Sequence, residues 1–307
     1  SIPLKLYAGA LVYDHLGANT DVIKSSVEYA MERSKEDNHG DLVFFNEQIK
    51  DNDRLRLKMY STIHKCVMNN MEGFFMCYQP IANSKTGQIV GMEALLRWKH
   101  RDFGEVPPGV FIPWLEMEPC FFELGNWIIE RSLLDAMEIR KTRPDFVVNV
   151  NISATQLENH GFRQTVTDIL NRTKFPPEYL CMELTERCKN MDIEFLKSEL
   201  DFFRKLGIKI AIDDFGTGNA TLNLLTELPI DELKVDMSFV RGIQESKPNQ
   251  VLVQAVVSCA NQLGYKSCIE GVEDKALFEY LHRYGSTYYQ GYHFSKPVTL
   301  DEFKKLL

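Results

Sequence analysis

The sequence predicts an α/β protein built as a (β/α)8 TIM-like barrel, preceded by a small amino-terminal α+β fragment and a connecting helix. Three observations carry that expectation. Short apolar, β-branched runs recur along most of the chain, helix-like or helix-capping segments follow each of them, and each run ends in a polar residue. Strands that alternate with helices build a parallel sheet, and polar groups at successive strand ends are what a closed sheet of this kind gathers at one mouth.

The most informative run is Ile208-Lys209-Ile210-Ala211-Ile212, preceded by Gly207 and leading into Asp213-Asp214-Phe215-Gly216-Thr217-Gly218. A β-branched run between glycines reads as a buried parallel strand. Two adjacent carboxylates at its end repel each other and lose hydration, which a bound cation or a basic partner offsets. For this stretch alone, a metal-free ion pair at Asp213 with a helix cap at Asp214 stays open. The companion runs are 88–92 into Glu93, 146–150 into Asn151, 179–182 into Glu183, 232–233 into Lys234, 266–269 into Glu270 and 286–289 into Gln290. These polar side chains are expected to converge.

Ahead of the barrel, residues 4–13 read as a strand, Thr20 caps a helix with Ile23, Val27, Ala30 and Met31 on one face, and residues 42–45 read as a second strand. Two strands and one helix in so short a segment cannot close a core of their own. Residues 51–71 form a charged helix with Leu55, Met59, Ile63, Cys66 and Val67 on one stripe and no glycine or proline to loosen it. It is expected to pack on the barrel and to relay the position of an upstream domain.

Composition bounds the function. With 307 residues, 44% hydrophobic and 25% charged, the chain has room for one barrel and a smaller appendage. No stretch approaches the roughly 20 apolar residues of a membrane span, so this segment is expected to make no membrane contact, whether or not a parent chain is tethered. The seven cysteines are odd in number and lack CxxC spacing, which points to reduced thiols and a cytoplasmic location. A net charge of −8 argues against a duplex nucleic-acid binder, while a phosphate-bearing substrate is compatible if metal ions supply positive charge. The seven histidines show no paired metal-ligand spacing.

From Phe74 onward a series of motifs follows in order: Tyr78-Gln79-Pro80-Ile81, Gly91-Met92-Glu93-Ala94-Leu95-Leu96-Arg97-Trp98, Val150-Asn151-Ile152-Ser153-Ala154, Glu183-Leu184-Thr185-Glu186, Asp213-Asp214-Phe215-Gly216-Thr217-Gly218, Lys234-Val235-Asp236, Glu270-Gly271-Val272-Glu273 and Gln290-Gly291-Tyr292. With these motifs the chain resembles an EAL domain, assigned to residues 51–307 with the leading helix included. Residues 1–50 loosely resemble the carboxyl-terminal end of a GGDEF domain through the helix 26–35, with no GGDEF signature, so this part is expected not to make cyclic di-GMP.

The resemblance implies a phosphodiesterase that opens cyclic di-GMP to linear pGpG with two divalent cations. It implies that Glu93, Asn151, Glu183 and Asp213 hold the first metal and Asp213 with Asp214 the second, Glu273 also belonging to the metal set. The oxygen-rich inventory independently favours magnesium or manganese. Glu270 matches the general base and Lys234 the residue that holds the attacking water or the phosphate. Gln79, Arg97 and Gln290 match substrate contacts; an ion pair with a barrel acid for Arg97 and a hydrogen-bonded rim amide for Gln290 are the structural alternatives. Glu186 matches a residue that steadies the loop carrying Gly216 and Gly218, and Asn219-Ala220-Thr221-Leu222 departs from the family's usual Tyr-Ser-Ser-Leu there. A homodimer and an upstream regulatory domain are implied as partners. The alternative function is a receptor that binds cyclic di-GMP without cleaving it.

Overall fold

The computed structural model describes residues 7–11, 23, 24, 27, 30, 31, 34, 42–45, 51–184, 188, 191–216 and 223–307. They fall into two compact units, residues 1–74 with 98–120 and residues 75–97 with 121–307.

In the first unit, β1 (Ala8–Leu11) pairs in parallel with β2 (Leu42–Phe45), Ala8 opposite Leu42 and Leu11 opposite Phe45. A parallel pair needs a crossover, and the described residues between the strands are helical, with Ala30 and Ser34 buried. The helix Asp51–Met68 buries Met59, Ile63, Cys66 and Val67 as its stripe predicts. Leu55 does not join them and is 55% exposed, because it lies a turn before the level at which Tyr60 stacks on Trp114 at 4.5 Å. The helix stops short of residue 71 because Asn70 and Met71 take left-handed backbone angles, φ 55 and 60.

The second unit is the barrel. Its strands are β3 (Phe74–Asn83), β4 (Ile89–His100), then, past β5 (Gly104–Val106) of the first unit, β6 (Val147–Ile152), β7 (Leu180–Leu184), β8 (Lys209–Phe215), β9 (Glu232–Val235), β10 (Lys266–Ile269) and β11 (Tyr288–Gln290). The order β3-β11-β10-β9-β8-β7-β6-β4, closed by a β3–β4 pairing, makes the eight-stranded (β/α) barrel that the sequence predicts. All seven apolar runs become strands, and β3 supplies the eighth.

Two details differ from the expectation. β3 runs antiparallel to β11, whereas the pairs from β4 round to β11 are parallel. The connection 84–88 is too short for a crossover, and the chain reverses in a turn closed by Asn83 N–H donating to Gln88 O at 2.8 Å. The run expected to end at Glu93 continues to His100, since the strand carries on into the first unit, where Trp98 lies opposite Val106 of β5. Glu93 therefore sits mid-strand.

Outer helices begin at side-chain caps: Asp192 for Ile193–Lys205, Ser246 for Lys247–Leu263 and Asp274 for Lys275–Leu281, each accepting from a backbone N–H of the first turn. Behind β9, β10 and β11, the core joins Val235, Ile269 and Tyr289 to Val253, Val257 and Leu281. No helix among the described residues is long and apolar enough to cross a membrane, and no disulfide joins the described cysteines.

Candidate active site at the carboxyl-terminal mouth

Side chains alternate along a strand, so Lys234 of β9, Asp213 of β8, Glu183 of β7, Asn151 of β6 and Glu93 of β4 all enter the barrel interior at one level. Lys234 is 1% exposed, and its Nζ lies 2.7 Å from Glu270, 2.9 Å from Glu183, 3.3 Å from Glu93 and 3.4 Å from Asp213. An ammonium has three protons, so at most three of these are direct hydrogen bonds and the longest contacts are chiefly electrostatic. Asn149 Nδ2 donates to Glu183 at 2.7 Å, Asn151 Nδ2 to Glu93 at 2.9 Å, and Gln290 Nε2 to Glu93 at 2.5 Å and to Gln79 at 3.0 Å. Above them opens a cavity of about 270 Å³, whose walls include Gln79, Glu93, Asp213, Glu270, Glu273 and Gln290.

The paired aspartates need a separate explanation, because neighbours in a regular strand point to opposite faces. The β8–β9 register shifts between Ile212 and Phe215, and Asp214 takes a left-handed φ of 49. Such a bulge re-aims side chains, and aspartate tolerates that backbone region better than most residues. The result is that Asp213, Asp214 and Glu270 bring carboxylate oxygens within 4.8 Å of one another. Asp213 also accepts from the Asp214 N–H at 2.9 Å.

Burial and mutual repulsion set the charges. Burial pulls Lys234 down, but Asp213, Glu183, Glu270 and Glu93 outweigh it and lift the amine well above the ordinary lysine value. Burial pushes Glu183 well above the carboxylate range, against the pull of Lys234 and with help from Glu93 and Asp213. Glu270 rises to about 8 for the same reason, burial first. Glu93 moves the other way: Lys234 and the donors Gln290 and Asn151 overcome its burial and hold it below the usual value.

The structure thus brings Glu93, Asn151, Glu183, Asp213, Asp214, Lys234, Glu270, Gln79 and Gln290 to one mouth. Glu273 lines the same cavity but is exposed and stands apart from the three-carboxylate cluster. Arg97 shares its strand face with Glu93 and Leu95; among the described residues it donates to the Leu96 carbonyl at 2.8 Å and pairs with no acid. Gly216 has φ +101, the freedom expected of it, while Glu186 and Gly218 lie outside the described residues, as does 219–222. Asn149 was not singled out in the sequence. The signal was its position two residues before Asn151, which puts both amides on the inner face of β6.

The donor set fits divalent cations. Four carboxylates, Glu93, Glu183, Asp213 and Glu270, surround a single lysine, with Asp214 beside Asp213 and Glu270 as a fifth, and hard oxygen groups of this kind suit magnesium or manganese. The Gln290 carbonyl oxygen, buried with no hydrogen-bond partner among the described residues, is a further acceptor there.

A closed (β/α) barrel with an acidic, metal-type cluster at the carboxyl ends of its strands is the architecture of a barrel enzyme. The chain belongs to the EAL domain family, whose model matches residues 67–297. It is 33% identical to the cyclic di-GMP phosphodiesterase PA2567 of Pseudomonas aeruginosa over 77% of this chain and 40% of that protein. Among solved structures it is similar to the PaMucR phosphodiesterase in complex with c-di-GMP, with TM-score 0.75 and 29% identity over 80% of this chain and 99% of that one. It is also similar to the EAL enzyme Bd1971 in its cAMP-bound form, with TM-score 0.77 and 33% identity over 83% of this chain and 71% of that one. The chain spans 35–44% of the length of the curated relatives it matches.

Proposed function

We propose that the chain is a metal-dependent phosphodiesterase that hydrolyses cyclic di-GMP to linear pGpG. The observation that carries this reading is the convergence of five carboxylates, four amides and one buried lysine on a single mouth, in a family whose named relatives include cyclic di-GMP phosphodiesterases. Glu93, Asn151, Glu183 and Asp213 would hold one divalent cation and Asp213 with Asp214 the other, Glu273 being an outer member of the set. When bound, the cations supply Lewis acidity at the phosphate and a more acidic water.

The chain's own residues do the rest. Glu270 takes a proton from the attacking water, and Lys234 places a fixed positive charge where the water or a phosphate oxygen sits. Gln79, Gln290 and Arg97 hold the substrate, Arg97 through the planar fork that suits a phosphate. Because pGpG carries a 5′-phosphate, the water oxygen bonds to phosphorus, the bond to the 3′ oxygen breaks, and that oxygen leaves as a hydroxyl. A receptor that binds without cleaving is the alternative, and the complete set of site acids speaks for the enzyme.

Regulation completes the reading. Residues 1–50 are a GGDEF-like remnant, supported by the parallel β1–β2 pair with helical residues between. The active species is a homodimer in which Glu186, Gly216 and Gly218 couple the contact to the paired aspartates, and an upstream regulatory domain acts through the helix Asp51–Met68. The test is purified protein incubated with cyclic di-GMP, with magnesium or manganese and with a chelator. The expected result is pGpG formed only with metal; cyclic di-GMP bound but left intact in every condition would contradict the enzyme reading.

A further inference from the structure

At the opposite end of the barrel lies a second cavity, of about 520 Å³, walled by the first residues of several strands, among them Val147, Lys209, Lys266 and Tyr288. Its volume is in the range of small-molecule sites. Glu232, the first residue of β9, lines it. Standing two residues before Lys234, it points to the same interior face, one level below the acidic mouth.

Glu232 is only 9% exposed, and its Oε1 has no hydrogen-bond partner among the described residues. A buried acceptor left without a donor loses its hydration with nothing in return, which makes it the exception in native interiors. The neighbouring acids are better served: Asp231 accepts from Arg204 at 3.0 Å, with Lys209 at 4.0 Å, and Asp145 accepts from the Tyr179 hydroxyl at 3.0 Å. Counted over the cavity walls, four carboxylates (Asp145, Glu178, Asp231 and Glu232) face three cations (Arg204, Lys209 and Lys266), one negative charge in excess when all are ionised. Burial pushes the Glu232 carboxyl up to about 7, against the pull of Lys234 and Lys266.

We infer that this amino-terminal pole is a second ligand site, distinct from the acidic mouth, that takes a small organic cation, an amidine or amine on a flat apolar body, with Glu232 as its anionic acceptor. The cation would neutralise the excess charge and supply the missing donors. An amidinium matches the two oxygens of a carboxylate as a fork, and the apolar body would lie against Ile230 and Tyr288. This inference rests on nothing in the phosphodiesterase reading.

The test is calorimetric titration of the full chain with benzamidine and, in parallel, with benzamide, its uncharged counterpart of the same shape. We expect saturable binding of one benzamidine per chain, weakened about tenfold or more by Glu232→Gln and by exchange of the ligand for benzamide, and unchanged by Glu270→Gln at the other mouth. Absence of saturable binding would overturn the proposal and leave a water-filled pole. Equal affinity in Glu232→Gln, equal affinity for benzamide, or loss of binding in Glu270→Gln would overturn it as well. The benzamide comparison is made on the unaltered protein, so it decides the question even if Glu232→Gln does not fold.

Discussion

Glu183 and Glu232 are both buried in the interior of one barrel, on strands two apart, and their surroundings differ. At the carboxyl-terminal mouth Glu183 accepts from Asn149 on one oxygen and from Lys234 on the other. At the amino-terminal pole one Glu232 oxygen has no donor among the described residues. The cavity beside Glu232 is also the larger, about 520 Å³ against about 270 Å³. Volume alone would select the pole. What distinguishes the mouth is chemistry: acids clustered beyond what one lysine can neutralise, with Glu93, Glu183, Asp213 and Glu270 each held by an amide or the ammonium, at the end of the barrel where the strand-to-helix loops gather.

The comparison can be broken in several places. The largest expected effect is at Glu270→Gln, which keeps the shape and removes the base: turnover of cyclic di-GMP should fall by about 10²–10⁴-fold with substrate affinity nearly unchanged. Unchanged turnover would strip Glu270 of that role.

At the other pole, Glu232→Gln should change stability rather than turnover. Burial pushes the folded carboxyl up to about 7 from the ordinary glutamate value of 4.5, so between those values the folded state holds more protons than the unfolded chain. Stability attached to this group is complete below the lower value and is lost as pH rises through the higher one. The glutamine variant should match the parent near pH 4 and exceed it above pH 7, by about 3 kcal/mol at most, in urea unfolding at the two pH values. Parallel pH profiles for the two proteins would mean that Glu232 is not held as described.

Asn149→Ala tests orientation within the mouth. It leaves a Glu183 oxygen without its amide donor and should weaken manganese affinity by about 10–100-fold, the usual cost of losing a group that holds a ligand in place. The smallest effect is at the bulge: Asp214→Gly and Asp214→Ala remove the same carboxylate, but only glycine accepts the left-handed backbone without strain. The alanine protein should be less stable than the glycine protein by about 1 kcal/mol in thermal or urea unfolding.

Much of this was legible in the sequence because strand periodicity fixes which residues share a face. Glu93, Asn151, Glu183, Asp213 and Lys234 could be read as one inward ring from their places in apolar runs. The reversal of β3 was not read, since its direction depends on the shortness of 84–88 and not on its own residues. Nor was the cause of the convergence of Asp213 with Asp214, which a regular strand forbids and a bulge permits. Asn149 and Glu232 escaped because each precedes a more conspicuous residue by two positions. Whether such a side chain finds a donor depends on the strand opposite, and that is a property of the closed barrel.

Manganese binding, measured by calorimetry on the parent, Asp213→Asn and Glu232→Gln proteins, tests most directly whether the mouth and not the pole is the metal site. Two manganese ions are expected to bind to the parent and to Glu232→Gln, and at least one of them is expected to be lost in Asp213→Asn. Full manganese binding in Asp213→Asn, or its loss in Glu232→Gln, would move the metal site away from the mouth.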